Sequence, residues 1–169
     1  YEFATFYSYG IHGTVQSLVH AFVELVAINH NFTRIDYDYD LISGNVKKVS
    51  YQAGEPDQFH HRYWYDADNR ITHVETSDDN INWQQDAKYF YYKHGPLARV
   101  ELGNDKVQAL DYAYTLQGWL KGVNSDALDA SRDIGKDGDV NLTEINPNQF
   151  VGADQFGFSL GYYQGDYTP

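Results

Sequence analysis

The chain has 169 residues and a formal net charge of −12 at pH 7, an acidic balance that disfavours binding to a nucleic-acid backbone or to anionic lipid. It contains no cysteine, which excludes disulfide bonds and thiolate metal sites. Aromatic residues make up 17% of the chain, a composition that favours half-buried β-strands and argues against a disordered segment.

Five copies of one short pattern follow one another along the chain. Each copy has two tyrosines separated by one residue, then a short corner that contains glycine or asparagine, and then an apolar segment. The second tyrosines of the five copies are Tyr9, Tyr39, Tyr65, Tyr91 and Tyr114. Because side chains alternate sides along a strand, both rings of a copy are predicted to lie on one face.

Each corner has the composition of a tight turn. In the second copy, Asp40 can bond to backbone amides, and Gly44 accepts the left-handed conformation that closes a turn. The apolar residues after the corner are spaced by three, as Val46 and Val49 are, which predicts a β-bulge or a change of face in the return strand. Each copy is therefore predicted to form a β-hairpin.

A single hairpin is not stable alone, so the copies are predicted to pack against one another as structural repeats. This packing is expected to align the tyrosines of neighbouring strands as cross-strand pairs, each worth about 0.2–1 kcal/mol. The predicted fold class is all-β, with repeated β-hairpins that form a curved β-sheet ribbon.

The first and second copies are separated by a segment without the pattern, residues 14–32. Leu18, Phe22 and Leu25 fit helical spacing, so one short helical or irregular insertion is expected near residues 15–30. The longest apolar run of the chain lies in this segment. Polar and charged residues interrupt that run, and it is too short to span a bilayer.

The composition changes after the fifth copy. Residues 124–149 are polar and rich in aspartate and glycine, which predicts a long acidic loop after a hairpin array over residues 1–123. Residues 150–169 return to aromatic alternation and are expected to form a further β segment of the same structure. The chain has no methionine, even at its first position, and is expected to be part of a longer protein.

One stretch of the acidic loop is similar to a calcium-binding loop. Asp133, Asp137, Gly138 and Glu144 match the EF-hand spacing, but Gly135 stands where a ligating side chain is required. Flanking helices are not evident either. A solvated acidic loop is the favoured interpretation, so no metal-binding residue and no cofactor is assigned.

Catalytic signals are weak throughout the sequence. His60 and His61 are adjacent, so in a strand they point to opposite faces and cannot bind one ion together. No nucleophile elbow, phosphate loop or dinucleotide motif occurs, and turn chemistry explains most of the aspartates. No catalytic residue is assigned, and the chain is not expected to be an enzyme.

The tryptophans leave a binding function open. Trp64, Trp83 and Trp119 are the obvious platforms on which a sugar ring could stack. Aromatic residues also pack against one another in sheets, and a core or ladder role for these three is the favoured interpretation.

The repeated pattern resembles the YD repeats of bacterial Rhs shell proteins and of teneurins. The segments that carry the resemblance are residues 37–45, 63–71 and 112–122. In that family the repeats form a long β-ribbon that spirals into a hollow shell, and in bacterial members the shell typically encloses a C-terminal toxin. The resemblance therefore implies a length of shell wall.

The chain departs from the simplest family pattern in several places. Gly10, Tyr92 and Thr115 stand where the family usually has aspartate, and residues 14–32 interrupt the repeats. The Asp-Pro cleavage signature of toxin-bearing members is not present in the sequence. Neither self-cleavage nor a toxin domain is therefore placed on these residues.

The function implied by the resemblance is structural. The chain is expected to be an encapsulating segment of a secreted or cell-surface shell that encloses a toxin or presents a wall to a partner. Its expected partners are the rest of its own longer chain, an enclosed toxin domain or a secretion-system component, with no nucleic acid and no membrane span. The alternatives are a carbohydrate- or protein-binding β-module with exposed tyrosines and tryptophans, and a surface domain stabilised by Ca²⁺.

Overall fold

The computed structural model describes residues 3–28, 31–126, 128–129, 132–140 and 145–163. These residues form eleven β-strands and one short 3₁₀ helix, which confirms the predicted all-β fold class. The chain divides into two compact units, Tyr1–Gln84 and Gln85–Pro169. Among the described residues, no helix has the length and apolar character needed to cross a membrane.

The first unit is an antiparallel sheet whose strands pair in chain order. Its strands are β1 (Phe3–Tyr9), β2 (Val15–Phe22), β3 (Phe32–Tyr39), β4 (Val46–Tyr51), β5 (Phe59–Tyr65) and β6 (Ile71–Ser77). Each predicted copy forms one hairpin here, and its second tyrosine is the last residue of the first strand of the hairpin.

The second unit continues the same pattern with antiparallel strands that also pair in chain order. Its strands are β7 (Gln84–Tyr91), β8 (Leu97–Leu102), β9 (Gln108–Tyr114), β10 (Leu120–Val123) and β11 (Phe158–Ser159). The described residues between β10 and β11 form turns and irregular loops. The domain boundaries expected after residues 123 and 149 stay predictions.

Among the described residues, helical geometry occurs at Val23–Ile28, a 3₁₀ helix in the connection from β2 to β3 and within the insertion expected near residues 15–30. The helical interpretation of Leu18 and Phe22 is wrong, because both lie in strand β2. This strand pairs with β1 on one side and β3 on the other. Strand pairing on both edges therefore determines the conformation of these residues, although their spacing in the sequence fits a helix. The amide of Phe22 donates to the carbonyl of Asn31 at 2.8 Å, so the insertion closes at its base and leaves the register intact.

All five corners close with the same backbone hydrogen bonds. The carbonyl of the first corner residue accepts from the amide of the glycine or asparagine, as Asp40 accepts from Gly44 at 2.9 Å. The residues with positive φ in the five corners are Gly13, Gly44, Asn69, Gly95 and Gly118. Because the first corner residue acts through its backbone, the corner tolerates Gly10, Tyr92 and Thr115 in place of aspartate.

Where aspartate is present, its side chain adds further bonds to the corner, as predicted. Oδ2 of Asp40 accepts from the amides of Ser43 at 2.8 Å and Ile42 at 3.3 Å. The hydrogen bonds from Ser43 lower the pKa of Asp40. An ionised aspartate therefore reinforces a turn that the backbone already forms.

A bulge follows every corner and explains the spacing of three. In the second hairpin, Tyr39 pairs with Val46 and Tyr37 pairs with Val49, while Lys47 has no partner in this ladder. The two valines therefore lie opposite the two tyrosines on one face. The corresponding pairs are Tyr9–Val15 and Tyr7–Leu18, Tyr65–Ile71 and Tyr63–Val74, Tyr91–Leu97 and Tyr89–Val100, and Tyr114–Leu120 and Tyr112–Val123.

The cross-strand partners of the tyrosines are thus aliphatic, which corrects the expected pairing of tyrosine with tyrosine. Tyrosine-bearing strands alternate with return strands, so the aligned rings of successive copies are not on adjacent strands. Within a copy the rings lie on one side as predicted, and the centroids of Tyr37 and Tyr39 are 6.4 Å apart. The fourth and fifth copies bring two rings together, with Tyr92 edge-on to Tyr114 at 6.3 Å.

The apolar core lies in the second unit. The buried apolar side chains among the described residues are Ala87, Val100, Ala109, Val123 and Val151. In the described part of the first unit, the buried side chains are Thr33, Ser50, Gln52, His60 and Ser77, all of them polar. Aromatic rings of β1 are more than half exposed, including Phe6 and Tyr9. The first unit therefore depends on strand pairing and polar contacts more than on a buried core.

Candidate functional site

In the second and third copies, the second tyrosine connects its hairpin to the preceding hairpin. The hydroxyl of Tyr39 donates to the carbonyl of Val15 at 2.9 Å, and the hydroxyl of Tyr65 donates to the carbonyl of Val46 at 2.8 Å. Val15 and Val46 are the first residues of their return strands. The backbone pairing between each return strand and the next strand does not extend to them. We call this contact the inter-hairpin tyrosine bond.

The same bond occurs where the tyrosine pair is missing. The hydroxyl of Tyr162 donates to the carbonyl of Leu120, the first residue of β10, at 2.8 Å. Ser159 pairs with Gly122. This pair has the same position relative to the tyrosine and its acceptor carbonyl as the corresponding strand pairs of the second and third copies. Tyr162 thus takes the place of a second tyrosine in a sixth copy. The sequence pattern does not reveal this copy because Leu160 replaces the first tyrosine.

A group of buried charges occupies the second unit. The guanidinium group of Arg99 contacts Asp111 through Nη1, Oδ1 of Asp137 at 2.6 Å through Nη2 and Oε1 of Glu101 at 3.3 Å through Nε. Each of these four residues is more than nine-tenths buried. Arg99 and Glu101 lie on β8, and Asp111 is the cross-strand partner of Arg99 on β9.

The loop after β10 supplies two further carboxylates to this group. The amide of Asp137 donates to Oδ2 of Asp133 at 3.3 Å, so the two residues approach each other. Gly135 lies between them and so close to Arg99 and Asp111 that a Cβ atom would overlap both side chains. Gly135 departs from the EF-hand motif at a position where the structure has no room for a side chain.

Two asparagines hold this loop in place. Nδ2 of Asn146 donates to the carbonyls of Lys136 at 2.7 Å and Asp139 at 2.9 Å. Nδ2 of Asn148 donates to the carbonyl of Gly135 at 2.7 Å. The side chains of the loop therefore hold its backbone in place.

Asp154 lies beside Asp133 and completes what we call the acidic cluster. The cluster consists of Glu101, Asp111, Asp133, Asp137 and Asp154. Oδ1 of Asp154 accepts from Nε2 of Gln108 and Nδ2 of Asn124, both at 2.8 Å. Burial, with the adjacent Asp133 carboxyl as the next cause, raises the pKa of Asp154 to about 7.

The acidic cluster carries more negative than positive charge. Burial raises the pKa of Asp111 to about 6 and also raises the pKa of Asp137, although Arg99 acts in the opposite direction on both. A second cation, Lys106, places Nζ at 3.1 Å from Oε2 of Glu101. The five carboxyl groups outnumber these two cations by three, so ionising all of them in a buried site is costly.

The sequence singled out only part of this cluster. Asp133 and Asp137 come together as the EF-hand spacing suggested, whereas Glu144 lies outside the described residues. Asp111 and Arg99 were missed because both lie within ordinary repeat strands. The register that places them opposite each other has no local sequence signal.

His60 and His61 contact different groups. The ring of His60 is buried, and its Nδ1 lies 2.9 Å from Oγ of Ser50. The ring of His61 stacks against Tyr63 with a centroid distance of 6.4 Å. The two imidazoles therefore have separate surroundings, as alternation along a strand requires.

The three tryptophans differ in what covers them. The guanidinium group of Arg62 lies over Trp64 at 4.7 Å and over Trp83 at 4.1 Å. Trp119 is 49% exposed and lies 5.2 Å from the ring of Tyr162. Cation–π contacts thus occupy two of the three candidate sugar platforms.

No family model and no curated protein matches the sequence. A crystal structure of TcdB2-TccC3-Cdc42 is similar in structure, with 18% identity and a TM-score of 0.57 over 71% of this chain and 6% of that chain. A Photorhabdus luminescens Tc holotoxin pore with a TccC3 mutation matches with 10% identity and a TM-score of 0.37, over 72% of this chain and 7% of that chain. The chain thus spans a small part of each protein's length. The first similarity shows that the hairpin fold also occurs within a much larger chain.

Proposed function

We propose that this chain is a structural segment of an Rhs-like shell wall in a secreted or cell-surface protein. The observation that carries the proposal is the inter-hairpin tyrosine bond, which recurs at Tyr39, Tyr65 and Tyr162. At these three positions the bond connects one hairpin to the one before it at a fixed register. Repeats that bond only to their neighbours are the usual way to build an extended wall.

The distribution of exposed rings supports a longer wall. In β1, the rings of Phe3, Phe6, Tyr7 and Tyr9 are each more than half exposed. Exposed apolar area of this kind is typical of surfaces that contact another segment. We assign that contact to other repeats of a longer chain, in keeping with the small share of the similar solved structure that this chain spans.

The proposed function of the wall is to enclose another molecule, and no catalytic role is assigned to it. The similar solved structure contains TccC3 together with TcdB2 and Cdc42. By analogy, we infer that the wall encloses a toxin domain or contacts a component of its delivery system. The buried carboxylates of the acidic cluster are assigned to stability, because they surround Arg99 inside the second unit.

The carbohydrate-binding alternative has less support. Arg62 covers faces of Trp64 and Trp83, which leaves Trp119, beside Tyr162, as the exposed tryptophan. A glycan array with the purified chain tests this alternative. Binding that Trp119→Ala abolishes, while the fold is retained, would favour the binding module over the wall.

Electron cryomicroscopy of the full-length protein tests the proposal directly. We expect residues 3–123 to form part of a continuous β-wall around a lumen, with strands of other repeats on the exposed side of β1. Density that placed this segment as an isolated domain, in contact with no other repeat, would overturn the proposed function.

A further inference from the structure

Three buried aspartates of the acidic cluster have the arrangement of cation ligands. Asp111, Asp133 and Asp137 each offer a carboxylate oxygen, and these oxygens all lie within 4.8 Å of one another. The exposed fractions of the three residues are 6%, 6% and 1%. Exposed acidic side chains often cluster without a ligand, whereas carboxylates buried to this extent need compensation.

An unsatisfied oxygen in the cluster is an independent sign of a ligand. In the part of the chain that the structure describes, Oδ2 of Asp137 is buried and accepts no hydrogen bond, whereas Asp133 can share a proton with the adjacent Asp154 carboxyl. Arg99 contacts the other oxygen of Asp137, so the ion pair does not satisfy Oδ2. A buried carboxylate oxygen without a donor costs free energy that a bound cation would recover.

A ligand for a site in which carboxyl groups outnumber basic side chains must be positively charged. Arg99 and Lys106 cannot neutralise the five carboxyl groups of the cluster. One divalent cation would remove most of the remaining charge. The donors near the site are oxygens, and the chain has no cysteine, which favours a hard ion over zinc or copper.

We propose that Asp133 and Asp137 of the loop, together with Asp111 of β9, bind one Ca²⁺ ion. Calcium suits the site better than magnesium because it accepts irregular sets of carboxylate and carbonyl oxygens, whereas magnesium demands a near-ideal octahedron. The ion takes oxygens that Arg99 leaves free, and Arg99 keeps its place as the second counter-charge. This site is independent of the proposed shell function.

Binding would fasten the loop to the strands beneath it. Asp133 and Asp137 belong to residues 132–140, and Asp111 belongs to β9. The asparagine bonds to the loop carbonyls already fix its shape, so little ordering opposes binding. The ion therefore stabilises the second unit.

Calorimetry and thermal unfolding of the 169-residue chain test the site. The chain is treated with EDTA, dialysed and titrated with CaCl₂, with MgCl₂ as the comparison. We expect one site per chain, weaker binding of Mg²⁺, and a rise in Tm of about 5–10 °C at a Ca²⁺ concentration 100 times Kd. No heat and no Tm shift at millimolar Ca²⁺ would overturn the proposal.

Asp133→Asn and Asp105→Asn form a matched pair of variants. Asp133 does not contact Arg99, so its substitution removes a ligand and leaves the ion pairs in place. Asp105 is exposed in the turn between β8 and β9 and serves as the control. We expect Asp133→Asn to weaken Ca²⁺ binding at least about 10-fold and Asp105→Asn to leave it unchanged. Equal affinities in the two variants would refute this location.

Hydrogen exchange on the unmodified chain locates the site even if a variant does not fold. Ca²⁺ is expected to slow amide exchange in peptides that cover residues 132–140 and the adjoining part of β9. Peptides from β5 and β6 in the first unit should not change. Protection elsewhere, with no change at residues 132–140, would place the ion at another site and overturn the assignment.

Discussion

The hydroxyl of Tyr65 donates to the carbonyl of Val46, 19 residues earlier in the chain, at 2.8 Å. Tyr39 makes the same bond to Val15. In each case the ring also packs across from the first aliphatic residue of its own return strand. One residue type therefore stabilises both its own hairpin and the connection to the preceding hairpin.

Removing the hydroxyl alone separates these two contributions. Tyr39→Phe and Tyr65→Phe keep the ring but leave the acceptor carbonyl without its donor, and each should lower the free energy of unfolding by about 0.5–1.5 kcal/mol. Urea denaturation of the purified chain measures this change. The control is Tyr37→Phe in the copy that contains Tyr39, which should have little effect because the ring of Tyr37 stacks beside Tyr39 and its hydroxyl does not make the inter-hairpin bond. Equal losses in all three variants would contradict the inter-hairpin bond.

Tyr162→Phe tests whether residues 158–162 act as a sixth copy. Loss of the bond to Leu120 should loosen β11 from β10. The amide of Leu160, which donates to Lys121 at 2.8 Å, is then expected to exchange faster in hydrogen-exchange experiments. Ile145→Val, at an exposed position of the same connection, is the control. An unchanged exchange rate at Leu160 would show that Tyr162 does not anchor the strand.

His60 predicts a pH dependence of stability in the first unit. Burial is the main cause that lowers the pKa of His60, Lys48 adds to the effect, and Asp79 opposes it. Ser50 and the ring of Trp83 also face the imidazole. Because the folded state favours neutral His60, this stabilisation is complete above the unfolded pKa of about 6.5 and is lost as pH falls below it.

The measurement is the difference in unfolding free energy between the unmodified chain and His60→Asn. Asparagine can still bond to Ser50 but does not titrate, so other ionisable groups largely cancel in the difference. The advantage of histidine should decrease between pH 7 and pH 5, by at most about 1.4 kcal/mol per pH unit. An advantage that stays constant or grows as pH falls would contradict the burial argument.

The repeat determines how much of the fold can be predicted from the sequence. Tyrosine pairs, corner glycines and apolar residues spaced by three are local signals, and they correctly predict five hairpins and the bulge in each. The insertion expected near residues 15–30 has helical geometry at Val23–Ile28, whereas pairing on both edges of β2 makes Leu18 and Phe22 part of a strand. Strand pairing also explains why the tyrosines face aliphatic residues. In each hairpin the first strand carries the two tyrosines, and the return strand beside it carries the apolar residues spaced by three.

The acidic cluster could not be predicted in the same way. Arg99 and Asp111 meet through the register of β8 and β9, and Asp154 arrives from a distant loop. Only Asp133 and Asp137 belong to a recognisable local motif. Sequence spacing therefore identifies the loop, and tertiary structure supplies the remaining carboxylates.

Gly135→Ala tests how tightly this loop packs on the strands. A Cβ atom at residue 135 would overlap Asp111 and Arg99, so the loop must move away or the ion pair must break. We expect a loss of about 1–3 kcal/mol in the free energy of unfolding, because overpacking a filled site has this cost. Urea denaturation followed by Trp119 fluorescence, in a background that carries Trp64→Phe and Trp83→Phe, reports on the second unit. Gly161→Ala is the control, since nothing lies within 4 Å of its Cβ position. If both alanines cost the same, the loop does not pack against the ion pair as described, because only residue 135 places a methyl group between two charged side chains.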